Sequence, residues 1–138
     1  MATEVIDAFA HVFPREFYET MREAHPTEEL DALADAPRFW DMDIRRGHFE
    51  TYGVDRQVVT LARPPVWRGL DPDEARPLVE EANDSVRRLA EENEELIPVA
   101  TLPFVEDWAV EELDRALDAG MAGVQIFSND RGDPIDTE

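Results

Sequence analysis

The sequence has no cysteine. Disulfides, thiolate metal sites and cysteine nucleophiles are therefore excluded. Lysine is missing too: all 13 basic residues are arginine, against 33 aspartates and glutamates. No apolar run approaches the roughly 18 residues that a membrane span needs. The segment Met1 to Ala10 has no basic region ahead of an apolar stretch, which argues against a secretory signal. There is no glycine-rich nucleotide fingerprint and no serine-centred nucleophile elbow. Basic and aromatic residues do not interleave as they do on a nucleic-acid surface. These absences predict a cytoplasmic protein with neither nucleic-acid nor membrane partners.

What is present in excess is negative charge. The formal net charge is -20 over 138 residues. Such acidity repels nucleic-acid phosphates and anionic membranes. It also works against a compact fold unless salt screens it, and at molar salt the Debye length shrinks to about 3 Å. The acids fall mostly on expected helix faces: Glu91, Glu92, Glu94 and Glu95, then Glu111, Glu112 and Asp114. A high-salt cytoplasm accounts for both the charge and its placement. An acidic surface for a basic partner is the competing reading.

Short apolar, β-branched runs read as strands near residues 4–11, 56–61, 96–102 and 123–127. Continuous runs of this kind suit a parallel sheet covered by helices. Helical patterns lie between them. One opens at Pro14 and runs to about Ala24, and another spans about Ile44 to Tyr52, where Gly53 ends it. The clearest runs from about Pro72 to Glu92. Asp71 and Glu74 resemble a capping box there, and Leu78, Ala82, Val86, Leu89 and Ala90 form its apolar stripe. The last spans about Glu106 to Ala119, with Trp108, Leu113, Ala116 and Leu117 inward. Residues 25–43 read as an insertion on the face where strands end.

Alternating strands and helices make an α/β fold with a parallel sheet. The length is about half of the ~250 residues typical of a complete eight-stranded barrel. The expected fold is one partial domain, the N-terminal half of a TIM-type (βα)8 barrel. Such a sheet has open edges at its first and fourth strands and one uncovered face, features that invite pairing. Self-association or a separate C-terminal barrel half would answer that exposure.

Function in this architecture gathers where strands end. His11 ends the first strand, and neutral imidazole there is either a metal ligand or a structural hydrogen-bonding group. His25 and His48 read as surface groups. Ser128 and Asn129 open a polar loop, Ser128-Asn-Asp-Arg-Gly132, after the fourth strand. That loop is either a plain turn or a substrate-facing one. Arg63, just past the second strand, either meets an anionic substrate or pairs with a nearby acid. Trp67 on the same loop either walls a pocket or packs.

Several segments taken together resemble the amidohydrolase-related family that includes aminocarboxymuconate-semialdehyde decarboxylase. They are Ile6-Asp-Ala-Phe-Ala-His-Val-Phe-Pro14, Trp40-Asp41, Arg45, and Tyr52-Gly-Val-Asp-Arg-Gln-Val-Val59. Further on come Glu81-Ala-Asn-Asp84 with Ala90, Ala100-Thr-Leu-Pro103, and Gly123-Val-Gln-Ile126 with Ser128, Asn129 and Gly132. The resemblance implies a metal-dependent hydrolase or nonoxidative decarboxylase acting on small carboxylated substrates. It implies a divalent metal, usually zinc, held by a pair on the first strand and by residues from strands beyond the fourth. His11 matches the second of that pair. The first position holds Phe9, which cannot coordinate a metal. The chain alone is therefore expected to be inactive. The alternative is a noncatalytic, barrel-derived binding or subunit module that has lost its metal site.

The charge reading carries a test by thermal unfolding. The melting temperature should rise as KCl is raised toward molar concentration. A flat or falling melting temperature would reject adaptation to salt and favour the basic partner.

Overall fold

The structure, a computed structural model, describes residues 3–61, 63–130 and 132–136. Strand β1 (Ile6–Val12) is followed by helices α1 (Arg15–Ala24) and α2 (Glu28–Ala34). A 3₁₀ turn at Pro37–Phe39 leads into α3 (Met42–Tyr52) and strand β2 (Arg56–Leu61). Helix α4 (Pro72–Glu91), strands β3 (Leu96–Pro98) and β4 (Ala100–Thr101), helix α5 (Ala109–Asp118) and strand β5 (Val124–Gln125) come next. The described chain closes with a short antiparallel pair, β6 (Asn129–Asp130) and β7 (Asp133–Pro134).

The main strands are parallel, in the order β1-β2-β3, with β4 pairing β5. The expected run over 96–102 is divided because it changes neighbours. Gln57 to Val59 pair with Leu96 to Pro98, and then Ala100 and Thr101 pair with Val124 and Gln125. Bonds from Val99 N–H to the Val59 carbonyl and from Ala100 N–H to the Gly123 carbonyl carry the sheet across. The outcome is the expected α/β arrangement, a parallel sheet with helices on one side, consistent with half of a barrel. The turn-rich end expected after residue 128 folds instead into the β6–β7 hairpin, with Gly132 at φ +94° between its strands.

Local signals place the helix ends. The Asp41 side chain accepts from the N–H groups of Asp43 and Ile44, so α3 starts at Met42 rather than Ile44. Gly53 ends it in the left-handed conformation, at φ 65°. Asp71 and Glu74 do form a capping box. Helix α5 begins at Ala109, because Glu106 to Trp108 are spent on the preceding turn. Residues 25–43 hold α2 and the 3₁₀ turn.

The core lies between the sheet and the helices. Val12, Val59 and Leu61 meet Phe13, Phe17, Met21, Val79, Ala82 and Val86 there. Two sequence expectations are corrected. Leu117 is 42% exposed, so α5 is turned slightly from the expected stripe. Glu112, expected on a solvated acidic face, is only 1% exposed. The reason is polar pairing. Asn83 on α4 donates to Glu112 Oε1 at 2.7 Å, and Arg115 donates to both carboxylate oxygens at 2.6 and 3.0 Å. The Asn83 carbonyl oxygen also accepts from the N–H of Thr101 at 2.8 Å.

The β1 edge is met in part by its own chain. Its His11 carbonyl accepts from Arg45 Nη2 at 2.6 Å, and just past the strand the Phe13 N–H donates to the Phe39 carbonyl. A bulge between Asp7 and Ala10 lets Asp7 accept the N–H of Phe9. These contacts engage the edge at its end, while Ile6, Ala8 and Phe9 stay exposed. The sheet face away from the helices is bare. Phe9 is 70% exposed there, and Phe9, Val58, Thr60, Val99, Val124 and Ile126 line a hollow of about 380 Å³.

Truncating Asn83 tests the buried network. Asn83→Ala leaves the Thr101 N–H and Glu112 Oε1 short of a partner, at about 1–3 kcal/mol for each buried group. Denaturant unfolding should show a loss of about 2–6 kcal/mol by that reckoning. Arg115→Ala should lose at least as much, because it strips the counter-charge from a Glu112 carboxylate that has no exposed surface. Negligible losses in both variants would mean that the network is not the anchor.

Candidate functional site

Two loops leave the C-terminal ends of neighbouring parts of the sheet. One follows β2, and the Arg63–Pro64 bond that opens it is cis. The other follows β5 and runs into β6. Between them lies a cleft of about 320 Å³ lined by Arg63, Pro65, Trp67, Arg68, Phe127, Ser128, Asn129 and Asp130. All four residues singled out as substrate-facing, Arg63, Trp67, Ser128 and Asn129, meet in this one place. Arg131, also in the polar loop, lies outside the described residues.

Trp67 both packs and walls the cleft. Its ring is buried in the core cluster and meets Phe127 edge-on, with centroids 5.9 Å apart. Its Nε1–H donates to Asp130 Oδ1 at 3.1 Å. Arg63 is exposed, and among the described residues it makes no ion pair or hydrogen bond. Arg68 is held by Glu29 of α2 through two bonds of 2.9 and 3.0 Å. Ser128 and Asn129 are exposed at the cleft rim. The cleft therefore offers positive charge, an apolar wall and polar rim groups, a combination suited to a small carboxylated molecule. Arg68 and Asp130 went unnoticed as cleft residues. Asp130 lay within the polar loop already marked, but Arg68 carried no sequence signal.

His11 belongs to a different hollow, about 240 Å³, with Phe9, Arg38, Phe39, Arg45 and Gln57. Its ring is half-buried and meets the Phe9 ring edge-on, centroids 4.9 Å apart. Burial lowers its pKa below the ordinary histidine value. The backbone of Leu61 and Thr60 offsets part of this, and the nearby Arg45 charge lowers it further. Among the described residues Nδ1 is buried without a partner at hydrogen-bond geometry, as is the hydroxyl of Thr60 beside it in register. A neutral imidazole with a free nitrogen is the correct species for a metal ligand. A catalytic site needs about three protein ligands. Among the described residues no three potential ligands cluster, and the neighbouring position is Phe9. The residues present do not make a metal site.

Arg45, noted only as part of a motif, proves to be a buried anchor at 8% exposure. It donates to the carbonyls of His11 and Arg38 and to Gln57 Oε1, and Gln57 in turn donates to Asp7 at 2.9 Å. Burial lowers its pKa and Asp7 partly restores it. His48 is exposed and His25 half-buried, and neither enters the cleft. No helix among the described residues is long and apolar enough to cross a membrane.

Comparison with known proteins returns no matching family model and no matching curated protein. Solved structures do match. A 5-carboxyvanillate decarboxylase from Novosphingobium aromaticivorans, complexed with manganese and 4-hydroxy-3-methoxy-5-nitrobenzoic acid, is similar at 25% identity and a TM-score of 0.74. The match covers 98% of this chain and 44% of that one. An amidohydrolase II protein is similar at 26% identity and a TM-score of 0.73, covering 97% and 44%. A 2,6-dihydroxybenzoate decarboxylase from Rhizobium shares the fold at 22% identity and a TM-score of 0.69, covering 91% and 38%. The chain spans less than half the length of these structures. The resemblance to amidohydrolase-type proteins read from the motifs is borne out.

The depressed pKa of His11 has a stability consequence. An unfolded histidine takes up its proton near pH 6.5, whereas folded His11 resists until lower pH. Stability is therefore full above pH 6.5 and falls as the pH drops toward the folded pKa. In proton NMR His11 should titrate below 6.5, and His11→Phe should flatten that part of the stability profile. Titration at or above 6.5 would contradict the burial argument.

Proposed function

We propose that this chain is the substrate-recognising part of an amidohydrolase-type hydrolase or nonoxidative decarboxylase acting on a small carboxylated molecule. The observation that carries the reading is the convergence of Arg63, Trp67, Ser128 and Asn129 on one cleft where the strands end. Arginine in such a cleft recognises a carboxylate by charge-assisted, bidentate hydrogen bonds. The similar structures from Novosphingobium and Rhizobium are decarboxylases, and the former binds manganese and a carboxylated aromatic. Here a divalent ion, zinc or manganese, would need His11 joined by ligands from outside the chain.

The apolar inner face is the natural seat of that missing part, as a separate C-terminal half or a second copy of the chain. No charged residue lines the hollow on this face, so a partner buries it without desolvating ions. A salt-rich cytoplasm is the compartment that the acidic surface suits. A second reading, a noncatalytic binding or subunit module, is favoured by Phe9 at the first ligand position.

One preparation tests both parts. The purified chain and its His11→Ala variant are dialysed against zinc or manganese, and bound metal is measured beside the mass by light scattering. Stoichiometric metal that depends on His11 supports an enzyme whose remaining ligands come from a second copy of the chain, and its absence excludes that arrangement. A dimer, or a monomer that binds an apolar dye, supports a covered inner face. A monomer with no dye-accessible apolar surface would refute it.

A further inference from the structure

The positive side chains of this acidic molecule are unevenly placed. Most helical arginines meet a carboxylate, as Arg46 meets Glu95 and Arg115 meets Glu112. The hollow of about 240 Å³ beside β1 is different. Arg38, Arg45, His11 and His48 line it, and no aspartate or glutamate does. Arg45 is the buried one, and its donors end on neutral acceptors: the carbonyls of His11 and Arg38 and the amide oxygen of Gln57. Asp7, the acid that compensates it, is joined to it through Gln57. A buried charge held by neutral groups favours an anion beside it. Arg38 is exposed on the 3₁₀ turn. Its guanidinium stacks on Phe39, 4.9 Å from the ring centroid, and among the described residues it meets no carboxylate. His48 is exposed on α3. Two donors that solvent can reach, from separate elements, therefore line one acid-free hollow.

We infer that this hollow is an anion site, taking a phosphate group on Arg38 and His48 with the Arg45 charge behind them. It stands apart from the cleft of Arg63 and Trp67 and does not depend on how that cleft is read. Arg38 offers the planar fork that matches two phosphate oxygens. A neutral His48 still donates one N–H. A flat carboxylate is satisfied by one guanidinium, whereas phosphate has a further oxygen for a donor on a second element. The net charge of -20 repels a dianion at long range, so only a cluster free of acids can hold one. The exposed Phe9 ring on the wall would meet the organic part of a phosphate monoester.

The test is a titration of the whole chain with inorganic phosphate, at fixed pH and ionic strength, followed by the ring proton resonances of His48 and His11. Their shifts should saturate. Acetate and chloride should bind about tenfold more weakly or less, the scale of one hydrogen bond to a charged group. Arg38→Ala should weaken phosphate by a similar factor, and the Arg38 carbonyl that Arg45 uses is kept in that variant. Arg22→Ala removes the same charge from an exposed site on α1 and should leave binding within about twofold. Phenyl phosphate beside inorganic phosphate separates the two sources. Tighter binding of the ester supports an organic phosphate, and tighter binding of the free ion supports phosphate itself. Shifts that do not saturate, acetate as tight as phosphate, or equal losses in Arg38→Ala and Arg22→Ala would overturn the site. The comparison of anions in the unmodified chain decides the matter even where a variant folds poorly.

Discussion

The buried carboxylate of Glu112 is the constraint on which the strand-end loops depend. Taking a charge out of water is expensive, so it persists only when its oxygens are fully engaged. Here Asn83 and Arg115 engage both. Through Asn83 the same network also holds the Thr101 backbone on β4. Helix α4, helix α5 and β4 are therefore locked by one polar knot inside an apolar layer. β4 is the strand that pairs with β5, and β5 leads into one wall of the cleft. A slip of α5 along α4 would expose Glu112 and shift that wall together.

A second polar chain does similar work at the opposite side of the sheet. Arg45 reaches from α3 to the backbone of His11 and Arg38, and Gln57 relays to Asp7. This ties the segment between β1 and β2 down over the β1 edge. The exposed ion pairs, such as Arg88 with Glu16 and Glu81, join α1 to α4 but contribute little each at a solvated surface. Order in this molecule comes from two buried polar clusters, whereas the abundant surface charge mainly governs how it meets solvent. The bare inner face lies outside both clusters.

Much of this was legible in the residues. Asp71 with Glu74, and Gly53, marked helix boundaries correctly because capping is a local effect with a local signature. The four cleft residues could be named because strand ends place loops on one face. Glu112 could not. Its neighbours Glu111 and Asp114 gave it the look of a solvated acid, and only the approach of Asn83, 29 positions away, makes its burial possible. The same holds for Arg45, whose partners come from β1, β2 and the 3₁₀ turn. At the β1 edge, likewise, the groups that engage it come from Phe39 and Arg45, and no pattern within β1 announces them. Long-range polar pairing is the part of a fold that periodicity does not encode.

Phe9 leads to a different kind of consequence. Its ring projects from the inner face and touches His11 edge-on. A side chain so exposed contributes little to stability, and substitutions at such positions usually change it by less than about 0.5 kcal/mol. Folding therefore exerts almost no hold on which residue stands there. A chain that kept two imidazoles at this point and one that kept a phenylalanine would fold alike and persist alike. The identity of residue 9 is thus free to follow whatever the inner face meets, at a site where stability leaves almost no mark.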